Sequence, residues 1–216
     1  MTTRALIVVT ALLAGGGVLA QSGSSTAGKP TAKPAAPQAA KPIAKPATAT
    51  PPASAAAGPI IVVETERGTF EFETYPQDAP KTVAQITALV RRNFYNGQRF
   101  HRLEPGFVLQ WGDQNTRDMR NRGKPGWGSF GSGKPIGVAE IKRPHRVGAV
   151  GMAHSGNPAA ADSQIYVALG ADRTKGLDGK YTVFGQVISG MDVVRAIRKD
   201  DLIRRVTIKG GTPPAK

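Results

Sequence analysis

The segment 100–113, which reads FHRLEPGFVLQWGD, is the part of the sequence that most constrains the fold. Two short runs of alternating apolar residues flank a Glu104-Pro105-Gly106 turn, and this pattern predicts a β-hairpin. Arg102 lies among aromatic and aliphatic residues of the hairpin, with Gln110 further along. A guanidinium beside apolar groups indicates a groove that binds a neutral polar backbone and an apolar ring together. Taken alone, the segment also fits a purely structural hairpin.

The rest of the folded part has the pattern of a mainly β domain. Residues 60–65 and 69–74 predict another hairpin, because apolar and polar residues alternate in the second run. A helix is predicted from Asp78 to about residue 93, with its apolar stripe at positions 83, 86, 89 and 90, and a short helix over 191–197. Further strands are predicted over 147–153, 163–169, 181–188 and 202–208. Many short strands with two helices favour an antiparallel sheet that closes into a barrel or a sandwich.

The first 59 residues differ in composition from the rest of the chain. Residues 1–20 carry one basic residue, an apolar run and small residues at their end, which predicts a secretory signal peptide cleaved after Ala20. An uncleaved membrane anchor is the alternative. Residues 21–59 are rich in Ala, Pro and Lys without any acid or aromatic residue, so we expect a disordered linker, either a tether to a surface or a plain spacer. Residues 60–209 then form the folded domain and 210–216 a flexible tail, in a protein exported to the periplasm or cell envelope, or secreted.

The positive charge of the chain limits its partners. Of 29 basic residues, five precede residue 60, while all 15 acidic residues follow it, so 24 bases against 15 acids leave +9 for residues 60–216. Such a balance predicts weak contact of the linker and the surface with an anionic envelope polymer. The bases are scattered and are not interleaved with a row of aromatic residues, so nucleic-acid binding is not expected.

A glycine-rich stretch, residues 117–137, predicts a long surface loop. Within it, residues 128–134 (GSFGSGK) have the spacing of a phosphate-binding loop. However, Pro135 stands where a magnesium-binding Ser or Thr would be needed, and no buried strand leads into the motif. We therefore predict no nucleotide site here.

The residue inventory excludes most kinds of catalysis. The chain has no cysteine, its three histidines lack metal-ligand spacing, no serine lies in a nucleophile elbow, and no carboxylate pair flanks the first hairpin. Hydrolytic, redox and metal chemistry are therefore unsupported, and we expect no cofactor and no metal. Arg102 with its amide and apolar neighbours remains, which suits a reaction without proton transfer. Rotation about a prolyl peptide bond is such a reaction.

The segment FHRLEPGFVLQWGD resembles the signature of the cyclophilins. The resemblance continues through VGAVGMAHSG, DSQIYVAL, LDGKYTVFGQV and GMDVV and covers roughly residues 60–209. It implies a closed eight-stranded antiparallel β-barrel capped by two α-helices. It also implies a peptidyl-prolyl cis-trans isomerase without a cofactor, acting on proline-containing polypeptides, and we expect a monomer.

The resemblance also implies roles for individual residues. Arg102 would be the catalytic guanidinium, and Gln110 would orient it together with the substrate backbone. The implied substrate-binding residues, which form the proline pocket, the facing wall and the rim, are Phe107, Val108, Gln110, Ala153, His154, Gln164, Tyr166, Leu177 and Tyr181.

Four positions depart from the family pattern. His154 replaces the usual asparagine, Tyr166 the usual phenylalanine, Gly176 a common aromatic residue, and Tyr181 a common histidine. Tyr166 brings a hydroxyl into an apolar pocket, where it needs a hydrogen-bond partner, and Gly176 removes part of a wall. The alternative function is therefore a non-catalytic proline-peptide-binding or chaperone module that keeps the groove without turnover.

Overall fold

The computed structural model describes residues 58–210 of the chain. The predicted signal peptide, the linker up to residue 57 and the tail from residue 211 lie outside these described residues. None of the helices within residues 58–210 is long and apolar enough to cross a membrane. The strands are β1 (Ile60–Thr65), β2 (Gly68–Thr74), β3 (Arg102–Glu104), β4 (Val108–Trp111), β5 (Ala149–Met152), β6 (Ile165–Ala168), β7 (Val183–Ser189) and β8 (Ile203–Ile208). The α-helices are α1 (Pro80–Arg91), α2 (Ala171–Thr174) and α3 (Met191–Ala196).

The eight strands form one antiparallel sheet in the order β3-β4-β6-β5-β7-β2-β1-β8. The predicted mainly β, eight-stranded antiparallel architecture is therefore confirmed. Each predicted strand is present, although several are shorter than the apolar pattern indicated. The run 147–153, for example, pairs only over Ala149–Met152.

The predicted closure of the barrel is wrong, because the sheet is open and curled into a half-barrel. Strands β3 and β8 are its edges. An isolated bridge joins Arg99 to Leu202, and the Phe100 amide donates to the Asp201 carbonyl at 3.1 Å, just ahead of the two edge strands. The Gly97 amide also donates to the Ile203 carbonyl at 2.9 Å and the Ile203 amide to the Gln98 carbonyl at 2.8 Å, but β3 itself does not pair with β8. Strand β3 (Arg102–Glu104) pairs with β4 alone.

The aromatic core anchors the strand that carries part of the site. Trp111, at the end of β4, is fully buried and meets Phe70 and Phe100 edge-on, with ring centroids 6.2 and 5.4 Å apart. Fully burying a large apolar side chain contributes about 1.5–3 kcal/mol to stability. All four residues of β4 are buried, so the strand holds Gln110 on a rigid base.

Helix α1 begins at Pro80 and has no side-chain cap of its own. Instead, the Glu140 carboxylate accepts hydrogen bonds from the Lys81 amide at 3.0 Å and the Thr82 amide at 2.9 Å. Asp78, the predicted capping acid, pairs with Arg143 instead. The predicted apolar stripe of the helix is buried as expected.

The other helices differ in how well the sequence indicates them. Helix α3 was predicted and follows Gly190, which has φ 76° and lies so close to β2 that an added Cβ would be 2.5 Å from the Thr69 carbonyl oxygen. Helix α2 was not predicted, since it is a single turn in which the Thr174 hydroxyl donates to the Gly170 carbonyl. It lies next to the candidate site.

In the predicted long loop, the turn with the spacing of a phosphate-binding loop binds a carboxylate of the protein. The amides of Gly133 and Lys134 donate to the Asp162 carboxylate at 2.8 and 3.1 Å, and the Ser132 hydroxyl binds the same group. These donors are the ones that a phosphate would need. The turn therefore fixes the loop to the segment before β6.

Candidate active site

One cleft of about 590 Å³ lies between the β3–β4 hairpin, the loop around Gly128 and the loops that border β5 and β6. All ten residues that the sequence analysis assigned to the site line this cleft: Arg102, Phe107, Val108, Gln110, Ala153, His154, Gln164, Tyr166, Leu177 and Tyr181. The structure thus brings together residues that are up to 79 positions apart. Their chemical roles stay a prediction from the sequence.

The hairpin register places Arg102 directly opposite Gln110. Opposite side chains of an antiparallel pair lie on the same face of the sheet, within reach of each other. Here the Arg102 Nη1 group donates to Gln110 Oε1 at 3.1 Å. The guanidinium is half exposed, with 45% of the side chain accessible, so it can meet a ligand in the cleft.

A chain of amide hydrogen bonds orients the Gln110 side chain. Gln164 Nε2 donates to the carbonyls of Gly128 and Phe130 at 2.9 and 3.0 Å. Its Oε1 atom therefore faces Gln110, whose Nε2 donates to it at 2.6 Å. Because each amide has one donor end and one acceptor end, Gln110 presents its oxygen to Arg102.

Glu104, to which the sequence analysis gave no role in the site, holds the other side of the guanidinium, and Arg173 contacts Glu104 in turn. Glu104 Oε1 accepts hydrogen bonds from Arg102 Nε at 2.9 Å and Nη2 at 2.5 Å. Arg173, from α2, donates to Glu104 Oε2 at 3.3 Å and lies 4.9 Å from the Phe107 ring centroid. Glu104 could have been found, because residues two apart on a strand share a face. Arg173 could not, since α2 has no sequence signal.

Apolar and aromatic side chains form the rest of the cleft. Val108 is 2% exposed and Tyr166 3% exposed, so both are parts of the core that also line the cavity. The rings of His154 and Tyr181 stack with centroids 4.2 Å apart. Gly176 is exposed, and a Cβ added there would meet no atom within 4 Å.

The hydroxyl of Tyr166 has the partner that the sequence analysis required. It lies 2.7 Å from His145 Nε2, and His145 had no predicted role. Burial raises the pKa of the Tyr166 hydroxyl well above its usual range, so the group stays protonated. No sequence signal could have found this contact, which joins a residue before β5 to one on β6.

The loop wall of the cleft was also missed by sequence reasoning. Its members outside the predicted set are Gly128, Ser129, Phe130, Gly131, Ser155, Ala160 and Asp162. Phe130 is 52% exposed at the rim. A loop without periodicity has no pattern from which such positions can be inferred.

A buried imidazole lies behind this wall. His101 is 7% exposed, and neither of its ring nitrogens has a hydrogen-bond partner among the described residues. Burial lowers the pKa of His101 to about 4, although the Asp113 carboxylate nearby favours the charged ring. Gly128 leaves room for the ring, since an added Cβ would lie 2.6 Å from His101 Cδ2.

The cleft therefore combines a fixed cation, amide groups and an apolar surface. Within residues 58–210, no group of three or more His, Cys, Asp or Glu side chains could hold a metal ion. A ligand with a carbonyl-rich backbone and a compact apolar ring would match the groups on the walls.

Comparison with known proteins identifies peptidyl-prolyl cis-trans isomerases as relatives of this chain. The family model for cyclophilin type peptidyl-prolyl cis-trans isomerase matches residues 60–214. A probable peptidyl-prolyl cis-trans isomerase of Brucella abortus is 43% identical over 141 residues, which is 64% of this chain and 71% of that protein. Peptidyl-prolyl cis-trans isomerase B of Bacillus subtilis is 35% identical over 143 residues, 65% of this chain and 91% of that protein.

A solved structure shares the fold. It is a cyclophilin type isomerase of Cryptosporidium parvum, determined in the presence of the dipeptide Ala-Pro, with a TM-score of 0.57 and 23% identity. The alignment covers 69% of this chain and 98% of that one. The matched family model, the curated relatives and the shared half-barrel together show that this chain belongs to the cyclophilin-type peptidyl-prolyl cis-trans isomerases.

Proposed function

We propose that the cleft around Arg102 is the isomerase active site, and that the guanidinium stabilises the twisted form of a substrate prolyl bond. The barrier to rotation is about 18–20 kcal/mol, because the amide nitrogen donates its lone pair to the carbonyl. In the twisted state this lone pair is localised on nitrogen. A donor aimed at that nitrogen binds the twisted state better than either planar isomer, and so lowers the barrier.

The fixed position of Arg102 at the edge of the apolar wall is the observation that carries this proposal. A guanidinium has five N–H donors, and hydrogen bonds to Glu104 and Gln110 use three of those on Arg102. Two donors remain for a substrate. Because both neighbours hold the group before substrate arrives, little side-chain entropy is lost at the transition state.

The apolar wall supplies the site for the proline ring. Phe107, Val108, Tyr166 and Leu177 present ring and aliphatic carbon, which favours an apolar five-membered ring over a charged or polar side chain. The Ala-Pro dipeptide used with the Cryptosporidium parvum relative supports proline-containing peptides as the ligand class. We propose that the substrates of this chain are extended polypeptides with an exposed proline.

The location of the protein is proposed from residues 1–59 alone. A signal peptide over 1–20, followed by a Lys-Pro-rich linker, supports export to the periplasm, cell envelope or medium, where the clients would be exported proteins that are folding. An uncleaved N-terminal anchor is the alternative. Mass spectrometry of the mature protein distinguishes them, because cleavage removes residues 1–20 and an anchor retains them.

The proposed site is tested by steady-state isomerisation of a short prolyl peptide. We expect wild-type protein to accelerate exchange above the buffer rate and Arg102→Ala to lower kcat/KM about 100-fold. The matched control is Arg204→Ala, which removes an exposed arginine of β8. Equal loss in both variants would mean that general charge, and not the Arg102 site, is responsible.

A further inference from the structure

The Tyr166 hydroxyl is the one polar group on the apolar wall that must be kept out of the cavity. A buried hydroxyl without a partner destabilises the state that contains it, and a protonated phenol satisfies itself best by donating. The atom within reach is His145 Nε2, at 2.7 Å. The His145 side chain is completely buried, so solvent does not compete for this bond.

The contacts of His145 Nδ1 determine which ring nitrogen can accept a hydrogen bond from Tyr166. His145 Nδ1 lies 2.7 Å from Asp178 Oδ1, and the backbone amide of His145 donates to the same oxygen at 2.7 Å. These hydrogen bonds lower the pKa of Asp178, so the carboxylate is charged and can only accept. Nδ1 therefore carries the proton, and Nε2 is left as the acceptor for Tyr166.

The same contacts connect two walls of the cleft. Asp178 directly follows Leu177 and is close in sequence to Tyr181, and both of these residues line the cavity. The Tyr166 and Tyr181 rings meet edge-on with centroids 6.1 Å apart. At Gly151 a Cβ would lie 2.4 Å from the Tyr166 hydroxyl oxygen, so the glycine leaves the path of the ring towards His145 open.

We infer that His145 is a positioning residue of the proline pocket, which turns the Tyr166 hydroxyl away from the cavity and is itself oriented by Asp178. This inference rests on the proposed function of the cleft. The pocket then presents only ring carbon to the substrate, and the loop with Leu177 and Tyr181 is held against it. His145 acts through Tyr166 and does not touch the substrate.

Two substitutions of similar polarity separate the two hydrogen bonds of His145. In His145→Asn the short amide can still donate to Asp178 but cannot reach Tyr166. In His145→Gln the terminal amide reaches about as far as Nε2 and can accept from the Tyr166 hydroxyl. We expect His145→Asn to raise KM for a prolyl peptide about tenfold with kcat changed less than about threefold, and His145→Gln to keep KM within about threefold.

A double-mutant cycle with Tyr166→Phe gives the decisive comparison. Without the hydroxyl, His145→Asn should change KM by less than about twofold relative to Tyr166→Phe alone. If the asparagine change costs the same tenfold in both backgrounds, or if asparagine and glutamine behave alike beside Tyr166, the inference is wrong. Thermal unfolding identifies any variant that does not fold, and His145→Leu then replaces it in the cycle.

The same cycle, measured as the Kd of an Ala-Pro-containing peptide by NMR titration, does not require turnover. If wild type binds the peptide but does not catalyse exchange, the proposed catalytic function fails while the Kd cycle still tests His145. A wild-type protein that neither binds nor isomerises the peptide would overturn both.

Discussion

The buried imidazole of His101 makes the stability of the domain depend on pH. The ordinary pKa of histidine is about 6.5, and burial lowers that of His101 to about 4. The unfolded chain therefore binds a proton at higher pH than the folded chain does. The free energy of unfolding is therefore highest above pH 6.5 and falls as the pH drops. The loss caused by His101 stops growing below about pH 4.

The size of the effect follows from the shift. A difference of about 2.5 pKa units corresponds to about 3 kcal/mol at the acid limit, since each unit is worth 1.36 kcal/mol. The same two values give a loss of about 1 kcal/mol at pH 6 and about 2 kcal/mol at pH 5. For a domain of marginal stability, about 2 kcal/mol is a large fraction of the total.

The prediction is tested by urea unfolding of wild type and His101→Leu at pH 7, 6 and 5. Leucine is apolar, so the substitution removes the titration; neither imidazole nitrogen makes a well-aligned hydrogen bond in the described part of the chain, although the Gln164 side chain lies near enough to favour the charged ring. A packing change caused by the substitution shifts the free energy of unfolding of His101→Leu by the same amount at every pH, so it does not alter the pH dependence. We expect the free energy of unfolding of wild type to fall by about 2 kcal/mol more than that of His101→Leu between pH 7 and pH 5. A constant difference between the two proteins would refute the account of His101.

Three further predictions concern the helix cap, the aromatic wall and the linker. Glu140→Gln should lower the free energy of unfolding by about 1 kcal/mol, because it removes the charged acceptor of the Lys81 and Thr82 amides. The control is Glu66→Gln at an exposed turn, which should leave the free energy of unfolding unchanged. Urea unfolding of the two variants and wild type measures the difference. Gly151→Ala should lower the melting temperature and raise KM, because the added Cβ would lie 2.4 Å from the Tyr166 hydroxyl oxygen. The control Gly176→Ala has open space around the added Cβ and should leave the melting temperature unchanged. Deletion of residues 1–57 should leave the melting temperature and the isomerase rate within error of the full chain, and a large loss of either would mean that this segment packs on the domain.

The elements of the fold could be predicted because their signals are local. Alternation identified the strands, and the spacing of Val83, Ile86 and Leu89 identified α1. The resemblance to the cyclophilins predicted ten candidate site residues, and all ten line one cleft in the structure. Closure of the sheet was predicted wrongly, because alternation within each strand does not show whether the two edge strands, β3 and β8, pair with each other.

The features that escaped prediction depend on contacts between distant residues. Glu140 caps a helix about sixty positions before it, and Asp162 holds a loop about thirty positions before it. A buried hydroxyl needs a hydrogen-bond partner, so the sequence predicted that Tyr166 has one. Only the structure identifies this partner as His145. Nothing in the local sequence distinguishes His145 from an exposed histidine.

We propose that the Arg102 guanidinium stabilises the transition state and contributes little to substrate binding. NMR exchange spectroscopy on a prolyl peptide measures both quantities in one sample, the Kd and the exchange rate on the enzyme. We predict that Arg102→Ala lowers the on-enzyme rate about 100-fold while Kd changes less than about threefold, because the apolar wall remains. A variant whose exchange rate stays at the wild-type value, with the whole loss in Kd, would contradict the account.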